Sequence, residues 1–159
     1  MDASTCITNL LYRYGGLVDA GDFAGIGRLL ARAVVTDASG RLEIRGADAV
    51  RQLYERTTRI HPETGTPRTK HVITNPILEI DEAAGSARCT SQYVVYQQTE
   101  TLPLQPIVSG RYEHAFERVD GAWCITAHRF FVDQVGDVSE HLLVDLRPGG
   151  EGGPSRAGR

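Results

Sequence analysis

Asp19, His71 and Tyr14, with His114 and Arg129, are the side chains whose types and placement could carry chemistry, and that chemistry is proton transfer. Asp19 falls in the last turn of a helix, where the macrodipole disfavours an anion by about 0.3–1 kcal/mol, so something else should favour it there. It reads either as a carboxylate facing a pocket or as a surface residue of the Asp19-Ala20-Gly21-Asp22 turn. Tyr14 lies five residues earlier on the apolar face of the same helix, either as a functional phenol or as a core aromatic with its hydroxyl satisfied. His71 opens a strand and shares a face with Ile73 and Asn75, while His114 sits between Tyr112 and Phe116. Each fits a base or a hydrogen-bonded core imidazole. Arg129 alternates with Ile125, Ala127 and Phe131; if that face is inward, its guanidinium must find a carboxylate or a substrate oxygen. His61 and His128 read as surface or interface residues, and His141 follows the last strand.

Other chemistries lack their motifs. There is no G-x-S-x-G elbow, phosphate-binding loop or dinucleotide glycine fingerprint, and Gly25-Ile26-Gly27 is too short to count. The five histidines show neither H-E-x-x-H nor facial-triad spacing, so neither a metal nor a nucleotide cofactor is expected. Three isolated cysteines, Cys6, Cys89 and Cys124, argue against a disulfide framework and read as reduced, buried thiols. A net charge of −3 gives no positive field for nucleic acid. No membrane span or signal pattern is visible, so a cytoplasmic protein is expected.

The elements that must position these side chains follow from periodicity. Ser4 or Thr5 can cap a helix on Ile7, Leu10, Leu11, Tyr14, Leu17 and Val18, which Gly21 ends. Asp22 caps a shorter helix on Phe23, Ile26, Leu29 and Leu30. Val34-Val35 and Leu42 to Ile44 read as short strands about Ser39-Gly40. Val50, Leu53, Tyr54 and Thr57 give a third helix that must stop near His61, because Pro62 disfavours helical geometry before it. Four strands come next, over 70–80, 87–99, 106–119 and 122–133, and Asp120-Gly121 is the sharpest hairpin signal among them. Helices first and antiparallel strands after them imply an α+β layer fold whose sheet curls around the helices. In 159 residues this makes one domain over 1–146, followed by a disordered tail over 147–159 in which seven of thirteen residues are Gly or Pro. Apolar bulk on both faces of the last strand suggests that the outer sheet face meets a partner, as a homodimer or homotrimer.

Several local strings have a family likeness. Tyr12-Arg13-Tyr14-Gly15-Gly16-Leu17-Val18-Asp19-Ala20-Gly21-Asp22-Phe23, Arg45-Gly46-Ala47-Asp48-Ala49-Val50, Lys70-His71-Val72, Gly110-Arg111-Tyr112 and Arg118-Val119-Asp120-Gly121-Ala122-Trp123 resemble the SnoaL-like branch of the nuclear transport factor two-like superfamily. The resemblance implies a cone: a strongly bent antiparallel sheet around three N-terminal helices, with a deep pocket at the open end. Within that superfamily the pattern is similar to scytalone dehydratase and the bile-acid dehydratases. Those enzymes have a Tyr shortly before an Asp at the end of the first helix, and a His at the start of the strand after the third helix. Tyr14, Asp19 and His71 match this, and Arg129 resembles an arginine on the last strand. Where the pattern has an Asp or His on the following strand, this chain has Val94 and Tyr96.

The resemblance implies a cofactor-independent dehydratase or isomerase acting on a hydrophobic oxygenated ring compound, steroid-like or polyketide-derived. Asp19, His71 and Tyr14 would be catalytic, with Arg129, His114, Tyr112, Tyr96, Tyr54 and Phe131 binding substrate. Asp19 would hold the His71 imidazole in one tautomer and His71 would abstract a proton beside a carbonyl. Two other readings stay open: ring closure of a polyketide by intramolecular aldol reaction, and a non-catalytic binding or assembly subunit of the same fold.

Overall fold

A computed structural model describes residues 2–144; the expected tail over 147–159 lies outside them. The chain runs α1 (Ala3–Ala20), α2 (Phe23–Leu29), β1 (Val34–Asp37), β2 (Glu43–Arg45), α3 (Ala47–Thr57), β3 (Thr69–Asp81), β4 (Ser86–Gln97), β5 (Gln105–Val119) and β6 (Ala122–Val135). One curled sheet has the strand order β2-β1-β6-β5-β4-β3. All its pairings are antiparallel except β1 with β6, which run parallel, so the sheet is mixed rather than wholly antiparallel.

The N-cap of α1 is Asp2 rather than Ser4 or Thr5: its carboxylate accepts the Thr5 N–H at 2.8 Å and the Thr5 hydroxyl at 3.0 Å, at the helix end where negative charge is favoured. At the other end Gly21 is left-handed, and the N–H groups of Gly21 and Asp22 close onto the Val18 and Leu17 carbonyls. Asp22 caps α2 through the Gly25 N–H. The third helix stops at Thr57, short of the limit set by Pro62, because Thr58 turns extended and bridges to Leu142 of the C-terminal segment. Asp120 and Gly121 both take positive φ, the geometry a tight hairpin between right-twisted strands requires.

The helices fill the concave side of the sheet. Ile7, Leu11 and Val18 of α1, Ile26, Val50, and Val95, Ile107, Phe116 and Ile125 of the sheet form one core. Cys89 is buried and Cys6 and Cys124 are partly buried, and none of the three is in a disulfide. Two extra residues in β6 set which of its side chains meet that core. Phe116 pairs with Ile125 but Ala115 pairs with Ala127, and Ser109 pairs with Gln134 but Gly110 with Val132, so Thr126 and Asp133 are bulged. Each bulge reverses which face the next side chains take.

Gly110 faces inward at the second bulge, and a Cβ there would overlap the Phe131 carbonyl oxygen and the Tyr93 hydroxyl. The Tyr93 hydroxyl donates to that same carbonyl at 2.9 Å, so the phenol occupies the space a side chain would need. Gly110→Ala is expected to destabilise the fold by about 3 kcal/mol, the cost of overpacking against backbone that cannot yield. Urea unfolding at neutral pH measures it, and an unchanged midpoint would contradict the close approach.

Candidate active site

The end of α1 and the start of β3 bring Asp19 and His71 together. His71 Nδ1 lies 2.6 Å from Asp19 Oδ1. The same carboxylate accepts the His71 backbone N–H at 2.9 Å through Oδ2 and the Thr69 hydroxyl at 2.9 Å through Oδ1. Burial raises the Asp19 pKa, but the hydrogen bonds from the His71 ring, the His71 N–H and the Thr69 hydroxyl outweigh that and hold it below the ordinary carboxylate value. This is the compensation an anion at a helix C-terminus needs. An ionised carboxylate only accepts, so His71 carries its proton on Nδ1 and keeps the Nε2 lone pair for other work. The contact between helix and strand depends on Gly15, where a Cβ would stand 3.3 Å from the His71 Cβ.

His71 lines a cavity of about 370 Å³ between the helices and the curled sheet. Tyr14 and Val18 of α1, Tyr54 of α3, Tyr93 and Val95 of β4, and Tyr112 of β5 form its depth; Phe130, Val132 and His141 lie on the β6 and C-terminal side. The Tyr14 and Tyr54 hydroxyl oxygens are 2.7 Å apart. Burial, the first cause, and neighbouring phenols raise the pKa values of Tyr14, Tyr54 and Tyr112 well above the ordinary 10.0, so all three stay protonated donors. Tyr14 also has the Tyr112 hydroxyl as a partner, so Tyr54, Tyr14 and Tyr112 form a row of three hydroxyls that uses two of their protons and leaves one to donate. Tyr112 stacks on Tyr93 with 4.3 Å between ring centroids.

Of the expected site residues, Asp19, His71, Tyr14, Tyr54 and Tyr112 therefore converge, with Asp19 behind His71. Arg129, Phe131 and Tyr96 do not. Arg129 and Phe131 lie on the outer face because the Thr126 bulge shifts the alternation by one residue, so His128, Phe130 and Val132 point inward instead. The Arg129 guanidinium donates to the Ala38 carbonyl at 2.8 Å, lies 3.8 Å from Glu113, and covers the Phe131 ring from one side while Arg111 covers it too. It needs no buried carboxylate or substrate oxygen because it never enters the core. Tyr96 follows the outward parity of β4 and is exposed, whereas Tyr93 and Val95 face the cavity.

His114 faces inward as expected but stands behind Tyr112, outside the cavity wall. Its Nε2 is 2.8 Å from Nδ1 of His128, which is 1% exposed rather than a surface or interface residue. Burial pushes the His128 pKa down to about 4 and lowers that of His114 well below 6.5. His61 is likewise buried, with Nε2 2.9 Å from the Glu140 carbonyl oxygen. Sequence reasoning passed over Tyr93, Phe130 and His141 as cavity residues. Strand parity alone could have found Tyr93; the other two needed the bulge and the path of the C-terminal segment. Among the described residues, no group of three or more His, Cys, Asp or Glu side chains is placed to hold a metal ion, and no helix is long and apolar enough to cross a membrane.

Comparison with known proteins supports the fold. The family described as SnoaL-like domain matches residues 1–129. No curated protein matches the sequence. Among solved structures, a candidate scytalone dehydratase from Novosphingobium aromaticivorans is 18% identical, with 98% of this chain and 95% of that one covered and a TM-score of 0.66. An NTF2-like protein with a cystatin-like fold from the same organism is 17% identical over 86% of this chain and 85% of its own, with a TM-score of 0.67. ActVI-ORFA from Streptomyces coelicolor is 14% identical over 83% of this chain and 98% of its own, with a TM-score of 0.65. At such identities the likeness is one of fold.

Proposed function

The chain belongs to the SnoaL-like domain family, and from that premise we propose that it is a cofactor-independent acid–base enzyme, an isomerase or dehydratase acting on an apolar ring ketone or alcohol. The observation that carries this reading is the 2.6 Å contact between Asp19 and His71 Nδ1 at the wall of an apolar cavity. The carboxylate orients the imidazole and stabilises its protonated form, and His71 Nε2 takes a proton from the carbon beside the substrate carbonyl. Electron density moves onto that carbonyl oxygen, where the hydroxyl proton left over by the Tyr54–Tyr14–Tyr112 row meets it. The imidazolium then returns the proton, either to a more distant carbon, which isomerises the ring, or to a departing hydroxyl, which leaves as water. A cavity of about 370 Å³ favours closed rings over the folding of an extended polyketide chain. Similarity to a candidate scytalone dehydratase agrees with the dehydratase form of the reaction.

The test needs no natural substrate. In deuterium oxide, 2-tetralone should exchange the hydrogens beside its carbonyl about 10²-fold faster with the protein than with the His71→Ala variant, read by NMR. Equal rates with the two proteins would sink the proposal. The phenols give a second expectation. Tyr14→Phe, Tyr54→Phe and Tyr112→Phe each leave two of the three hydroxyls and should cost less than about tenfold, whereas the triple variant should lose about 10²-fold in the same exchange. Additive single losses would show that the hydroxyls act separately.

A further inference from the structure

We propose that His141 is a substrate-binding residue that, with His71, clasps one hydroxyl oxygen of a phenolic or enolic fused-ring substrate at the mouth of the cavity; this rests on the acid–base reading of the same site. His141 lies beyond β6, on a segment held against the body of the protein by specific bonds. The Arg59 N–H donates to the His141 carbonyl at 2.8 Å and the Leu143 N–H to the Thr57 carbonyl at 2.9 Å. The side chain of Gln97, itself fully buried, donates to the Glu140 carbonyl at 3.0 Å and to the Pro67 carbonyl at 3.0 Å. His61 Nε2 approaches the same Glu140 carbonyl. A buried glutamine and a buried histidine thus fix the residue next to His141, and the ring is 6% exposed where it lines the cavity.

That ring has no hydrogen bond at either nitrogen among the described residues, and its Nδ1 is enclosed without a partner. A buried N–H without an acceptor is rarer and costlier than a lone pair without a donor, so the proton belongs on Nε2. Burial, the first cause, lowers the His141 pKa to about 4, so the ring is neutral at neutral pH. His71 is the complement. Its Nδ1 proton is committed to Asp19, leaving Nε2 as an acceptor. The two rings stand 6.5 Å apart between centroids at an interplanar angle of 69°. An oxygen about 2.8 Å from one nitrogen of each ring, with a roughly tetrahedral angle between its two bonds, puts the centroids about 6.4 Å apart.

The group that accepts from one imidazole and donates to another is a hydroxyl, which His71 Nε2 releases before it takes a carbon-bound proton; a ketone oxygen would leave His71 unpaired. The cavity of about 370 Å³, filled at a liquid-like density of about 0.55, takes about 200 Å³ of ligand, the size of a fused two- or three-ring skeleton rather than a steroid bearing a side chain.

Titrating 2-naphthol and naphthalene into the full-length protein, followed by ligand fluorescence, tests the clasp. The wild type should bind 2-naphthol about tenfold more tightly than naphthalene, the value of one or two well-placed hydrogen bonds. His141→Phe keeps a ring and removes both nitrogens; it should cut that preference, the ratio of the two affinities, to about twofold. His141→Gln, which still carries a donor, should keep most of the preference. If His141→Phe does not fold, His141→Leu takes its place with the same outcomes. Full preference retained without the imidazole, or no preference in the wild type, overturns the clasp while the exchange reaction of His71 still stands. A wild type that binds neither compound overturns the clasp and the proposed function together.

Discussion

Asp19→Asn should lower catalysed exchange or turnover by about 10³-fold while the protein remains folded, the same direction as the roughly 10⁴-fold loss when a triad Asp becomes Asn in serine hydrolases. The reason is geometric. Asp19 presents one oxygen to His71 Nδ1 and shares its lone pairs with the Thr69 hydroxyl and the His71 N–H. An asparagine has a single oxygen for three donors. If the oxygen stays with the backbone N–H and the hydroxyl, the amide NH₂ faces Nδ1, and the imidazole must move its proton to Nε2, where the base should be. If the oxygen faces Nδ1 instead, the buried His71 N–H loses its acceptor and the strand start is disturbed. Neither arrangement retains both the tautomer and the position. Loss of an anion from the C-terminal turn of α1 relieves about 0.3–1 kcal/mol of unfavourable dipole interaction, which partly offsets the weakened hydrogen bonds. The expected signature is therefore a large fall in kcat with a small change in Tm. Asparagine activity within tenfold of wild type would show that the pair is structural.

Acid should destabilise the protein well before its carboxylates are protonated. His128 and His141 have pKa values of about 4 in the fold against 6.5 ordinarily, both chiefly through burial, and His114 is displaced in the same direction. Between those values the unfolded chain binds protons that the folded chain excludes. Stability is thus fully present above about pH 6.5 and falls as pH drops toward 4, at about 1.4 kcal/mol per pH unit for each such imidazole. For His128 and His141 together, moving from pH 7 to about pH 4.5 removes roughly 5 kcal/mol, a large share of a typical domain's stability. Urea unfolding at the two pH values measures this directly. Equal midpoints would mean that the buried imidazoles gain protons without leaving their places. Asp19, whose pKa is depressed, adds its own loss only at lower pH, below the ordinary carboxylate value.

Most of the scaffold is legible because it is local. The apolar spacing of Ile7, Leu11, Tyr14 and Val18 marks α1, Gly21 ends it, and the Asp120-Gly121 turn sets the final hairpin. The strain of placing Asp19 at a helix C-terminus is also legible, since it arises from the helix alone. The partner that relieves it is carried by β3, about fifty residues away, and spacing could only suggest His71 through family likeness. Capping showed the limit of local reasoning on a small scale: Asp2, Ser4 and Thr5 are all good caps, and the fold uses the first.

The cavity wall was legible in part. Tyr54 and Tyr112 follow undisturbed periodicity and arrive where expected. Arg129 and Phe131 do not, because alternation along β6 holds only between bulges. One unpaired residue at Thr126 sends His128 to the core and Arg129 to the surface, and nothing in the string Ile125-Thr126-Ala127-His128 marks which residue goes unpaired. That choice is made by β5, against which Phe116 and His114 must each find a partner facing the same core.

The sequence by itself determined the three helices, the strand-rich second half, the family and the presence of an Asp and a His able to form a pair. Only the tertiary structure decided which histidines meet the cavity. Helix and strand periods are properties of neighbouring residues, whereas the parity of a bulged strand and the return of residues 136–144 to the cavity mouth depend on packing between distant segments. His141 shows this most plainly: it comes after the last strand in the sequence, and the bonds from Gln97, Arg59 and Leu143 bring its segment back beside His71.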